Sequence, residues 1–222
     1  MKGSDIMFKS ITQVFFSSPR PSGRDSRSPR SRAREQRRSA YALEGQIKEY
    51  CKSEYEIYVD TCSLLSDDGM ELLDIIGRVF PGYRKRLNVF DSVLKELERV
   101  SGREGSRALN AERALGKLRQ LERSGLVRVM IGRNSHYSDV NFISEFTVLC
   151  GEKDALLITQ DKDLANKIKK LPEFVGEVVR NKHDCDVRRI GKSMRLEPFT
   201  PERRSADPER SANIRFNTVY GR

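Results

Sequence analysis

Four acids, Asp60, Glu96, Asp139 and Asp161, each stand at the end of a strand-like run or in the first turns of a helix-like one. Carboxylates brought together repel one another, and a bound cation relieves that repulsion. Oxygen donors of this kind favour hard divalent ions such as Mg²⁺ or Mn²⁺. Asp60 carries the most weight. It follows the apolar Ile57-Tyr58-Val59 directly and precedes Thr61-Cys62-Ser63-Leu64-Leu65. Its carboxylate should be partly desolvated, which is costly without a cation or hydrogen-bond donors. Asp161 follows Leu156-Leu157-Ile158 by three residues and is itself followed by Asp163. Asp163 reads equally well as a ligand for a second ion or as a cap of its helix.

Each acid has a plainer reading when taken alone. Asp91, Asp139 and Asp161 stand where a helix N-cap would stand, and capping accounts for such residues at about 1 kcal/mol each. Glu96 alone reads as a solvent-facing helix residue. Asp67 and Asp68 belong to a turn or a cap. Chemistry requires that segments far apart in the chain bring the acids together.

The pattern of the chain supplies such segments. Short apolar runs predict strands over 57–60, 87–90, 127–131, 155–159 and 175–179. Between them, apolar residues recur at helical spacing over 70–79, 91–97, 104–123, 139–149 and 164–171. This alternation predicts an α/β fold, a three-layer α/β/α sandwich with a mostly parallel central sheet. In such sheets the reactive site lies beyond the carboxyl ends of the strands. Asp60 and Asp161 both follow their strands in this sense.

The folded domain is expected over residues 43–199. Residues 1–42 form an Arg- and Ser-rich leader with too few apolar residues to repay ordering, and residues 200–222 form a polar tail. Net charge is +10, and the stretch from Ser17 to Ala40 holds +6 of it through eight arginines and two acids, leaving +4 for the rest. A basic balance favours a polyanionic partner, most simply nucleic acid. No apolar run approaches the roughly 18 residues of a membrane span. The four cysteines and two histidines complete no zinc pattern. Cys62 and Cys150 read as small core residues in a reduced, cytoplasmic chain. The leader also fits an organelle transit peptide. No Gly-rich phosphate loop is present, which excludes a P-loop NTPase.

The acids and their neighbours resemble the PIN-domain nucleases, over roughly residues 54–180. Asp60-Thr61 after an apolar strand is similar to that family's opening motif. Val93-Leu94-Lys95-Glu96-Leu97 resembles its second, Ser138-Asp139-Val140 its third, and Thr159-Gln160-Asp161-Lys162-Asp163-Leu164 its fourth. The fourth is the most specific and the third the least. Cys62 departs from the pattern, because the family often has Asn there, and a thiol cannot supply the same amide hydrogen bonds.

The resemblance implies a metal-dependent endoribonuclease that leaves a 5′-phosphate and a 3′-hydroxyl. Asp60 and Asp161 would be direct ligands of Mg²⁺ or Mn²⁺. Glu96 and Asp139 would complete the cluster, with Asp163 as an optional ligand of a second ion. Thr61 and Thr159 would orient carboxylates by hydrogen bond. The implied partners are single-stranded or structured RNA, an inhibitory or scaffold protein, and a second copy of the chain in a homodimer. Such a protein serves either as an RNA-processing factor or as a toxin controlled by its partner. The same fold could also be a scaffold or RNA-binding subunit with little catalysis, or a structure-specific DNA nuclease.

Overall fold

The computed structural model describes residues 29–132, 138–175 and 183–199. They form an α/β fold of seven helices around one six-stranded sheet. Helix α1 spans Pro29–Lys52. Strand β1, Glu56–Val59, leads into a single turn α2, Thr61–Leu64, and the longer α3, Gly69–Tyr83. Then follow β2 (Leu87–Phe90), α4 (Asp91–Ser101), α5 (Ser106–Arg123) and β3 (Val127–Met130). Helix α6 (Ser138–Leu149), β4 (Ala155–Ile158), α7 (Lys162–Val175), β5 (Cys185–Ile190) and β6 (Leu196–Pro198) complete the order.

The sheet runs β3-β2-β1-β4-β5-β6, with every pair parallel except β5 and β6. Strands β2 and β4 are buried at every residue, and β1 at three of its four. Full burial is why their sequences read as continuous apolar runs rather than alternating ones. Tyr58, Phe90, Phe142 and Phe146 stack between the sheet and α6, with ring centroids 5.0 to 6.3 Å apart. On other flanks α1 packs on α3, α3 on α5, and α4 on α5. Gly69 permits the tight step from α2 into α3, since a Cβ there would lie 2.6 Å from the Ser63 carbonyl oxygen.

The structure corrects several expectations. The helix α1 begins at Pro29, inside the stretch read as leader, and runs on into the expected domain. Proline suits the first helical position because its missing N–H would have no partner there. Leu43, Ile47 and Cys51 bury one face of α1 in the core, and Gln46 clamps the edge strand β6. Its amide nitrogen donates to the Leu196 carbonyl at 3.0 Å, and its oxygen accepts from the Leu196 N–H at 2.7 Å.

The last parallel strand also lies elsewhere than expected. Val175 ends α7, and residues 176–179 fall outside the described residues. The strand is β5, whose Asp186, Arg188 and Arg189 disguise it as a loop. Those charges are matched locally: Asp186 accepts from Tyr50 and from Arg188, while Val187 and Cys185 face inward. Finally, a disulfide joins Cys150, just after α6, to Cys185 at the head of β5, with Cα atoms 6.1 Å apart. Cys51 and Cys62 are free thiols.

Candidate active site

Strand order decides where a site can form. From β1 the chain moves outward to β2 and β3, then returns to place β4 on the other side of β1. The connections therefore diverge between β1 and β4, and a crevice opens there at the carboxyl ends. The register pairs Val59 with Ile158, and the Asp60 N–H donates to the Ile158 carbonyl at 3.0 Å. Asp60 and Thr159 thus stand side by side where the two strands stop.

Asp60 is 5% exposed and accepts three hydrogen bonds. The Thr61 N–H donates to Oδ1 at 2.7 Å, and Oδ2 accepts from the Thr159 hydroxyl at 2.9 Å and the Cys62 thiol at 2.7 Å. A carboxylate offers about four such positions, so one remains. Burial raises the pKa of Asp60 above the usual carboxylate value, the three donors oppose that rise, and the charge of Asp139 adds to it.

Thr159 couples the two strand-end acids. Its hydroxyl oxygen donates to Asp60 and accepts the Asp161 N–H at 2.9 Å. Asp161 then caps α7, its Oδ1 accepting the N–H groups of Asp163 at 2.7 Å and Leu164 at 2.9 Å. The capping reading of Asp161 is therefore correct, and it is compatible with a ligand role, because both bonds fall on one oxygen. Asp163 is exposed, and it is its amide rather than its carboxylate that Asp161 holds.

Glu96 reaches the site from α4. Its Oε2 accepts the Thr61 hydroxyl at 2.8 Å, and its Oε1 lies 3.8 Å from Arg99. Asp139 arrives in the first turn of α6, one residue inside the helix rather than at its cap. Desolvation raises its pKa, followed by the charge of Asp161; Lys167 counters, and Glu96 and Asp163 add to the rise. The four acids therefore share one electrostatic neighbourhood. Among the described residues, however, no three His, Cys, Asp or Glu side chains form a ready metal-binding group.

Two neighbours differ from expectation. Asp91 is not the cap of α4, since Phe90 holds that position; its carboxylate instead accepts the Gly132 N–H at 3.0 Å and Lys95 at 2.9 Å. Cys62 supplies no amide, yet it supports the site by other means. Its sulfur donates to Asp60, lies 3.3 Å from the Thr159 hydroxyl, and accepts the Gln160 N–H at 3.1 Å. Burial, then the charge of Asp60, pushes the thiol up to about 12, so it stays a neutral donor. Gln160 and Lys167 carried no sequence signal beyond their closeness to Asp161.

No helix among the described residues is long and apolar enough to cross a membrane. No protein-family model matches the chain, and no curated protein matches it.

Proposed function

We propose that the protein is a PIN-like, metal-dependent endoribonuclease with a three-layer α/β/α arrangement. The observation that carries this reading is the buried Asp60, held at the divergence of β1 and β4 with Glu96, Asp139 and Asp161 within electrostatic reach. The donor set fits a hard cation such as Mg²⁺ or Mn²⁺: every acid offers oxygen, and the mutual repulsion at Asp139 is what a cation would relieve. Asp60 and Asp161 would hold it directly, and Glu96 and Asp139 would complete the cluster. When bound, such an ion supplies a water of lowered pKa and neutralises charge on the phosphate.

The chain's own residues prepare the site. The Thr159 hydroxyl keeps the two strand-end acids in register. Thr61 aims Glu96, and the Cys62 thiol steadies Asp60. Lys167 offsets part of the negative charge at Asp139. RNA is the substrate the basic composition favours, with the remaining charge of the chain adding affinity without sequence choice.

A second reading, a PIN-like scaffold or RNA-binding subunit, is favoured by one observation, the lack of a ready three-ligand group among the described residues. One experiment separates the two. Labelled single-stranded RNA is incubated with the protein and Mn²⁺ or Mg²⁺, wild type against Asp60→Asn. The expected result is cleavage by wild type and a loss in the variant larger than the roughly 10–100-fold typical of an outer partner. If neither protein cuts and both bind RNA with equal, salt-sensitive affinity, the scaffold reading replaces the nuclease.

A further inference from the structure

Beside the acids lies a cavity of about 460 Å³, between the α2–α3 turn, the start of α5 and the segment after β5. None of the four acids lines it. Its size is that of a small-molecule site. Gln160 forms the wall it shares with the acids. The Gln160 N–H donates to Cys62, which touches Asp60, while its side-chain amide donates to the Ile190 carbonyl at 3.1 Å.

The cavity lining has two chemically different parts. Arg107 and Lys192, both exposed, come from separate elements and supply two cations. Arg107 stands in the first turn of α5, an 18-residue helix whose N-cap, Gly105, offers no side-chain capping bond, so the helix end adds to the positive potential. One turn further along α5 from Arg107, Asn110 donates to the Leu65 carbonyl and to Asp67, each at 3.2 Å. That pair fixes a carboxylate and an amide on the wall, with Ser66 and a second carboxylate, Asp68, beside them. A free phosphate would use only the cationic part and be repelled by Asp67 and Asp68. A nucleotide uses both, through an anionic phosphate and base-edge N–H donors.

We propose that this cavity is a nucleotide subsite for single-stranded RNA, taking one phosphate at Arg107 and Lys192 and one base at Asp67 and Asn110. The adjoining phosphodiester then lies at the acids. This inference rests on the nuclease reading for its purpose, and on the cavity alone for its binding.

The test uses the full chain, in EDTA, with labelled mixed-sequence single-stranded RNA. The double variant Arg107→Ala, Lys192→Ala is compared with Lys48→Ala, Lys52→Ala on α1; all four side chains are at the surface. In the first pair Kd should rise about tenfold, and the salt slope should fall by about 1.4, or 0.7 for each cation removed from a single-stranded site. The second pair should leave both unchanged. With Mn²⁺ present, the first pair should raise KM by the same factor with little change in kcat, as expected when binding common to ground and transition states is removed. Cleavage with unchanged KM and Kd, or equal losses in both pairs, overturns the subsite. Weakened binding in the first pair without any wild-type cleavage keeps the subsite and sinks the nuclease reading.

Discussion

Asp60 is a carboxylate whose burial works against its charge. Its pKa lies above the unfolded value of 3.8, so between 3.8 and the folded pKa the native state binds more protons than the unfolded chain. Stability therefore falls as pH rises through that window, and above it the penalty is complete. Asp60→Asn removes the charge and keeps the shape. In EDTA at neutral pH the variant should be more stable than wild type, and the gain should vanish toward about pH 3, below the reference carboxylate value. Urea unfolding at the two pH values checks this. A variant no more stable than wild type at neutral pH would show that the carboxylate is not strained. Cys62 belongs to the same scale. Its three polar partners tie it to Asp60, Thr159 and Gln160 in a way that an apolar residue could not.

At the scale of elements, α1 and β5 are the informative cases. The first part of α1 reads as arginine-rich leader, and beyond it Leu43 and Ile47 are fully buried on the face that packs toward α3. Ile47→Ala should cost about 2–5 kcal/mol, the range for large-to-small core changes. A loss within about 0.5 kcal/mol, as for a surface site, would detach α1 from the domain; thermal unfolding of the two proteins decides. The Gln46 clamp explains why α1 matters to the sheet, because it satisfies both backbone groups of Leu196 at the edge, where unpaired groups would invite another chain. Strand β5 owes its place to pairing with β4, which holds it despite three charges in six residues.

For the molecule as a whole, charge and metal are linked. A net +10 chain approaches a polyanion readily, while the acids at the sheet's carboxyl edge keep one local spot negative. A cation bound there would raise stability by RT ln(1 + [L]/Kd), about 2.7 kcal/mol at a hundredfold excess over Kd. Mn²⁺ should therefore raise the unfolding midpoint of wild type and leave Asp60→Asn nearly unmoved. Calorimetric scans with and without Mn²⁺ measure it, and equal shifts in both proteins would place the ion elsewhere.

The local pattern alone determined the α/β class, the burial of β1, β2 and β4, and the position of Asp60 and Asp161 just beyond their strands, because apolar runs and helical spacing are written in neighbouring residues. The strand order, with β1 beside β4, was decided only by the tertiary structure, since it depends on which way each crossover turns. So were the hydroxyl of Thr159 shared between Asp60 and Asp161, the thiol of Cys62 on Asp60, and the cavity behind Gln160. The bonds of Thr159 to Asp60 and of Gln160 to Cys62 join residues about a hundred positions apart, and only the register of β1 against β4 brings them within hydrogen-bond distance.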